Sequence, residues 1–112
     1  MSDAVKAAAY IDSLYGWNED EALARVLASI RERGMPEISV QPAYGRLITL
    51  LAAASGARAA LEIGALGGYS GICILRGLAP DGLLVSLELN AEYAELARAN
   101  TAAAGFGGRA EY

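Results

Sequence analysis

The residues best suited to chemistry are gathered in one short stretch, Gly64-Ala65-Leu66-Gly67-Gly68-Tyr69-Ser70, with a carboxylate just before it at Glu62. A second carboxylate, Glu88, follows about 20 residues beyond the stretch, at the end of another apolar run. Glycines let backbone approach a ligand closely and adopt positive φ, and the free N–H groups of a following helix receive an anion, a carboxylate as readily as a phosphate. An acidic side chain at Glu88 is spaced to accept hydrogen bonds from ribose hydroxyls. The pair indicates a nucleoside-bearing ligand; the bland alternative is a tight turn followed by a solvated strand-end charge. The dinucleotide fingerprint G-x-G-x-x-G fails at Leu66 and Tyr69, and no lysine follows to make a phosphate loop. Glu62 sits inside an otherwise apolar strand, where a carboxylate is costly unless it is paired or hydrogen-bonded, and this favours a role facing a ligand.

What is missing narrows the chemistry further. The chain has no histidine, which removes the usual general base, the Ser-His and Cys-His nucleophile pairs and the commonest zinc ligand. Cys73 is the only cysteine, so no intrachain disulfide forms; lying among Ile72, Ile74 and Leu75, it reads as a small buried hydrophobe. A net charge of −4 without a Lys/Arg cluster argues against nucleic acid as a partner. The apolar region 47–79 is broken by Arg58, Glu62 and Arg76, so a membrane span is not expected. The first residues lack a basic segment followed by an apolar one, and with the single thiol they point to the cytoplasm. Tyr10, Tyr15 and Trp17 could line a substrate wall, make a dimer contact or simply pack.

These side chains need elements to hold them. At 112 residues, 54% apolar and 20% charged, the chain has the composition of one small globular domain. Helices are expected from Asp3 to Leu14, closed by Gly16; from an Asn18 cap with Glu21 through the stripe Leu23, Val26, Leu27 and Ile30, closed by Gly34; and from Pro42 towards Gly56. The segment 35–40 connects the last two. Arg58–Ile63, apolar on both faces, reads as a buried parallel strand. A helix over 69–78 follows, then a turn at Pro80-Asp81-Gly82 and a second strand over 83–89. Asn90 caps a helix carrying Tyr93, Leu96, Ala97 and Asn100, and Arg109–Tyr112 opens a third strand. Such alternation predicts parallel strands with right-handed helical crossovers.

The run Leu61-Glu62-Ile63-Gly64-Ala65-Leu66-Gly67-Gly68-Tyr69-Ser70 resembles the glycine-rich motif of the cation-dependent O-methyltransferases, the family of the caffeoyl-CoA and catechol methyltransferases. The likeness runs from about Ile38 to Tyr112 and takes in Gln41-Pro42, Glu88 and the helix Glu92-Tyr93-Ala94-Glu95-Leu96-Ala97. It implies an α/β chain with a truncated Rossmann-like class I methyltransferase fold, a helix-rich N-terminus followed by a β-α-β-α unit. The expected division is one partial domain, with helices over 1–56 and the cofactor-binding segment over 57–112.

The resemblance also implies that S-adenosylmethionine is bound by Val40, Glu62, Gly64, Ala65, Gly68, Ser70 and Glu88. Glu62 with the Gly64-Ala65 backbone would face the methionine portion and its ammonium, Ser70 would donate to the carboxylate, and Glu88 would hold the ribose. Val40 suits packing as well, and Ser70 suits a helix cap. The family's divalent cation, such as Mg²⁺, is held by later strand ends, which are expected beyond Tyr112, so neither catalytic nor metal-binding residues are expected here. Two functions stand: the cofactor-binding half of an O-methyltransferase acting on a small, catechol-like acceptor, or a non-catalytic cofactor-binding or protein-interaction module. In both, an open strand edge at Arg58–Ile63, or apolar helices around Leu14 and Leu23, would favour a homodimer or a complementing chain.

Overall fold

The computed structural model describes residues 2–15 and 20–112. Three helices, α1 (Asp3–Tyr15), α2 (Glu21–Glu32) and α3 (Pro42–Ser55), precede β1 (Ala59–Ile63), α4 (Tyr69–Gly77), β2 (Leu83–Leu87) and α5 (Ala91–Thr101). A π-helical turn, Ala102–Phe106, then leads to β3 (Ala110–Glu111). The strands are parallel in the order β1-β2-β3, so β1 lies at an edge.

The helix ends follow from local chemistry. The Asn18 cap and the Gly16 stop expected from sequence lie outside the described residues, as does Trp17. The cap of α2 is Asp20, whose Oδ1 accepts from the Leu23 N–H at 3.0 Å. Arg76 of α4 grips the same carboxylate, with Nη2 at 3.1 Å from Oδ1, and ties the start of α2 to the sheet-covering layer. Pro42 opens α3 and Gly56 closes it with φ +65°. No side chain of Gln41 caps α3; instead Asp12 of α1 reaches across and accepts from the Ala43 N–H at 2.9 Å. Asn90 caps α5 as expected, accepting from the N–H groups of Glu92 and Tyr93.

The core lies where α2, α4 and α5 meet. Leu23, Val26 and Ile30 of α2 pack with Tyr69, Ile72, Cys73 and Leu96, each apolar side chain contributing about 1.5–3 kcal/mol by leaving water. Leu27, expected in the same stripe, is 37% exposed at its margin. Helix α3 crosses α4 closely enough that a Cβ on Gly77 would come within 2.3 Å of the Thr49 carbonyl oxygen. No larger residue fits that crossing.

Three expectations need correction. The strand over 58–63 was expected to be buried on both faces, yet Leu61 and Ile63 are 66% and 83% exposed. On β2, Leu83, Val85 and Leu87 are exposed likewise, while Leu84 and Ser86 are buried. The helices α4 and α5 cover one face only, and among the described residues no second layer covers the other. Leu23, placed near an open surface by the sequence reading, is 2% exposed and belongs to the core, whereas Leu14 is 53% exposed. The second strand also stops at Leu87, because Glu88 bonds to the Asn90 N–H and turns the chain.

Candidate functional site

The loop after β1 folds over the carboxyl ends of the strands. Its first residue, Gly64, adopts φ +90° and donates its N–H to the Leu87 carbonyl at 2.7 Å, adding one rung beyond the β1–β2 ladder. A Cβ there would meet nothing within 4 Å, so glycine serves the backbone conformation and leaves the space above it open. Leu66 has φ +49°, the one positive value at a non-glycine among the described residues, and its conformation is held by Glu88.

Glu88 organises this loop. Its Oε1 accepts from the Ala65 and Leu66 N–H groups at 3.1 and 2.9 Å, and its Oε2 from the Asn90 N–H at 3.0 Å. These backbone donors, Asn90 first, hold the carboxyl below the usual carboxylate range. Asn100, buried on α5, fixes the other side of the loop by donating to the Gly67 carbonyl at 2.9 Å and to Ser29 Oγ at 3.0 Å.

Between the loop and the 35–40 connector lies a cavity of about 270 Å³. Gly64, Ala65, Leu66 and Glu88 form one wall, Tyr69 and Ser70 the floor at the start of α4, and Tyr93 with Pro36, Ile38, Ser39 and Val40 the remainder. Helix α4 starts here without a side-chain cap, so its first-turn N–H groups are available to an anion. On the far side of Glu88 is a second cavity of about 420 Å³, lined by Ile63, Ser86, Leu87, Leu89 and Tyr112.

Of the seven residues singled out in the sequence, Val40, Gly64, Ala65, Ser70 and Glu88 meet at the first cavity. Gly68 and Glu62 do not line it. Gly68 is buried with φ +97°, and a Cβ there would press on the Ala97 backbone at 3.2 Å, so its part is to let the loop close onto α5. Glu62 stands behind Ser70: its Oε2 accepts from Ser70 Oγ at 2.5 Å and its Oε1 from Ser86 Oγ at 2.8 Å. Burial pushes its carboxyl up, against the pull of the two hydroxyls. Ser70 therefore neither caps its helix nor holds a free hydroxyl proton.

Sequence reasoning gave no site role to Ser86, Asn100, Tyr93 or the connector residues Pro36, Ile38 and Ser39. Ser86 had a legible signal, a lone hydroxyl in the run Leu83-Leu84-Val85-Ser86-Leu87, paired in register with Glu62. Cys73 is buried and its thiol is pushed up to about 12 by burial, which suits a packed side chain rather than a nucleophile. Among the described residues no three His, Cys, Asp or Glu side chains converge as a metal site, and no helix is long and apolar enough to cross a membrane.

Comparison with known proteins finds a family model described as O-methyltransferase that matches residues 13–112. A catechol O-methyltransferase of Mycobacterium tuberculosis is 44% identical over 104 residues, covering 92% of this chain and 46% of the relative. One from Niastella koreensis is 43% identical over 96 residues, covering 86% and 43%. Among solved structures, an O-methyltransferase from Bacillus cereus in complex with SAH superposes with a TM-score of 0.87 at 36% identity, over 95% of this chain and 48% of that one. A Streptomyces achromogenes enzyme involved in tomaymycin synthesis, in complex with SAM, gives 0.84 at 38% identity, over 99% and 51%. The chain thus spans about half the length of the relatives it matches.

Proposed function

Because the chain belongs to the O-methyltransferase family, whose fold it shares, we propose that it is the S-adenosylmethionine-binding half of an enzyme that methylates a hydroxyl of a small, catechol-like acceptor. The observation that carries this reading is Glu88, which bonds the glycine loop and stands between two cavities. A two-part ligand fits that arrangement. Its amino-acid end enters the smaller cavity against the Gly64-Ala65 backbone, Val40 and Ser70, its ribose meets Glu88, and its base enters the larger cavity beside Leu89. The carboxylate is drawn by the uncapped start of α4.

Bound S-adenosylmethionine supplies an electrophilic methyl group. The residues of this chain bind and orient it: Glu88 fixes the ribose, Gly64 leaves room for the ligand, and Ile38 with Tyr93 shields the cavity from water. Residues 57–112 act as the cofactor-binding segment and 1–56 as its helical cover. The chemistry itself, including any Mg²⁺ and acceptor contacts, belongs to a portion present in the longer relatives. The setting is the cytoplasm, with a complementing segment or a second copy over the bare sheet face. That exposed face, with Leu61, Ile63 and Leu87 on it, also favours a second reading, a cofactor-binding interaction module without catalysis.

Calorimetric titration with S-adenosylhomocysteine tests the site. Weak binding by the 112 residues is expected, with Glu88→Ala at least about tenfold weaker. Unchanged affinity in that variant would remove the assignment. A radiolabelled methyl assay with catechol and Mg²⁺ should show no turnover by these 112 residues alone, and turnover would mean that this chain supplies the missing ligands itself.

A further inference from the structure

Resting on the cofactor reading above, we propose that Asn100 is a positioning residue: without lining the cavity, its buried amide locks the peptide between Gly67 and Gly68 and so fixes the backbone that presents the start of α4 to the ligand carboxylate. Asn100 lies in the last turn of α5 and is 7% exposed. Its Nδ2 donates both hydrogens, to the Gly67 carbonyl at 2.9 Å and to Ser29 Oγ at 3.0 Å. The direction of the amide is forced. The Gly67 carbonyl can only accept, and the Ser29 hydroxyl gives its own hydrogen to the Val26 carbonyl at 2.7 Å, so both neighbours call for a donor. Through Ser29 the hold extends to α2, which makes the N-terminal helices part of the loop's support.

The peptide held in this way is the one with most freedom to turn. Gly67 and Gly68 are adjacent, and the φ of +97° at Gly68 lies in a region that glycine leaves as readily as it enters. Rotating the peptide plane between them changes only Gly67 ψ and Gly68 φ, and would swing the Gly68 N–H away from the Ala65 carbonyl that it meets at 3.0 Å. Gly68 is the residue before α4, and its carbonyl accepts from the Ile72 N–H at 3.0 Å. A turned peptide would therefore disturb the first turn of α4, where Tyr69 and Ser70 floor the cavity. Packing places this glycine without orienting it: a Cβ on Gly67 would come within 2.6 Å of Ile30 Cγ1, so α2 presses against it. The amide sets the direction of its carbonyl. Glu88 cannot replace that bond, since it takes the Ala65 and Leu66 N–H groups at the other end of the loop.

Calorimetry with S-adenosylhomocysteine on Asn100→Asp tests the lock, because the ionised variant keeps the shape of the side chain and has no hydrogen to give. Its affinity should fall about tenfold at about pH 8, and the gap to wild type should narrow towards about pH 5, where the acid regains an O–H donor. Ser29→Ala removes the other partner and leaves the Gly67 bond in place. It should lower stability to urea while its affinity stays within about twofold of wild type. Equal affinity losses in the two variants would overturn the proposal, since loosening of the contact between α2 and α5 would then account for both. Wild-type affinity in Asn100→Asp across the whole pH range would overturn it as well. Should Asn100→Asp fail to fold, nitrogen relaxation dispersion on the ligand-free wild-type chain decides: the Gly68 amide should show no μs–ms exchange, and exchange there that ligand suppresses overturns the lock. If the wild-type chain binds no S-adenosylhomocysteine, the cofactor reading fails and this proposal with it, whereas failure in the variants alone leaves that reading standing.

Discussion

The two faces of the sheet are made of nearly the same kind of sequence and have opposite fates. On one face Leu84 is 1% exposed, and Glu62 and Ser86 form a hydrogen-bonded pair under α4. On the other, one residue along each strand, Leu61, Ile63, Leu83, Val85 and Leu87 are open. The covered face contains the only polar groups of β1 and β2, and the bare face contains none. Polarity was placed where helices could satisfy it, and the purely apolar side is the one that lacks a cover within these residues. The candidate site draws on both: the larger cavity beside Glu88 takes in Ile63 and Leu87 of the bare face together with Ser86 of the covered one.

Four measurements would break or sharpen that contrast. The largest effect should come from Leu84→Ala, which opens a cavity in the covered face and should cost about 2–5 kcal/mol by urea unfolding. A loss below about 1 kcal/mol would show that the covered face is loosely packed. Next is Asp20→Ala, which removes the cap of α2 and leaves Arg76 without its carboxylate, at about 2 kcal/mol.

The third measurement is the pH dependence of stability, where two carboxylates oppose each other. Asp20 is lowered, by the Arg76 hydrogen bonds first, so its contribution is present above its unfolded value near about 4 and lost as pH falls through the folded one. Glu62 is raised, by burial first, so its contribution is full below its unfolded value and lost as pH rises through the folded one. Thermal melts of Glu62→Gln should therefore lack the decline that wild type shows on the alkaline side. Parallel curves would mean that Glu62 is not titrating in this window.

The smallest effect on stability belongs to the bare face. Leu61→Ser or Ile63→Ser should change unfolding by no more than about 0.5 kcal/mol in dilute solution. The same variants should abolish concentration-dependent self-association, read by light scattering during size exclusion across a dilution series. A wild-type chain that stays monomeric throughout would show that this face tolerates water at working concentrations.

Much of the architecture was legible because its signals are local. Asn90 announces α5, Gly56 the end of α3, and Pro42 its start, since each acts within one helical turn of itself. The glycine loop and Glu88 were equally readable, for their spacing is fixed by a strand, a turn and a helix in sequence. Asp20 as the cap of α2 was less legible, because part of its hold comes from Arg76, 56 residues away.

By itself, then, the sequence determined the order and type of the elements, the loop conformation that requires glycine at 64 and 68, and the residues at the strand ends. Only the tertiary structure decided which face of β1 and β2 is covered, that Glu62 is answered by Ser70 and Ser86 rather than by open space, and that the 35–40 connector and Tyr93 complete the cavity. The reason is register and reach. A strand's two faces are equivalent along its own sequence, and which one carries partners depends on where helices tens of residues away come to rest.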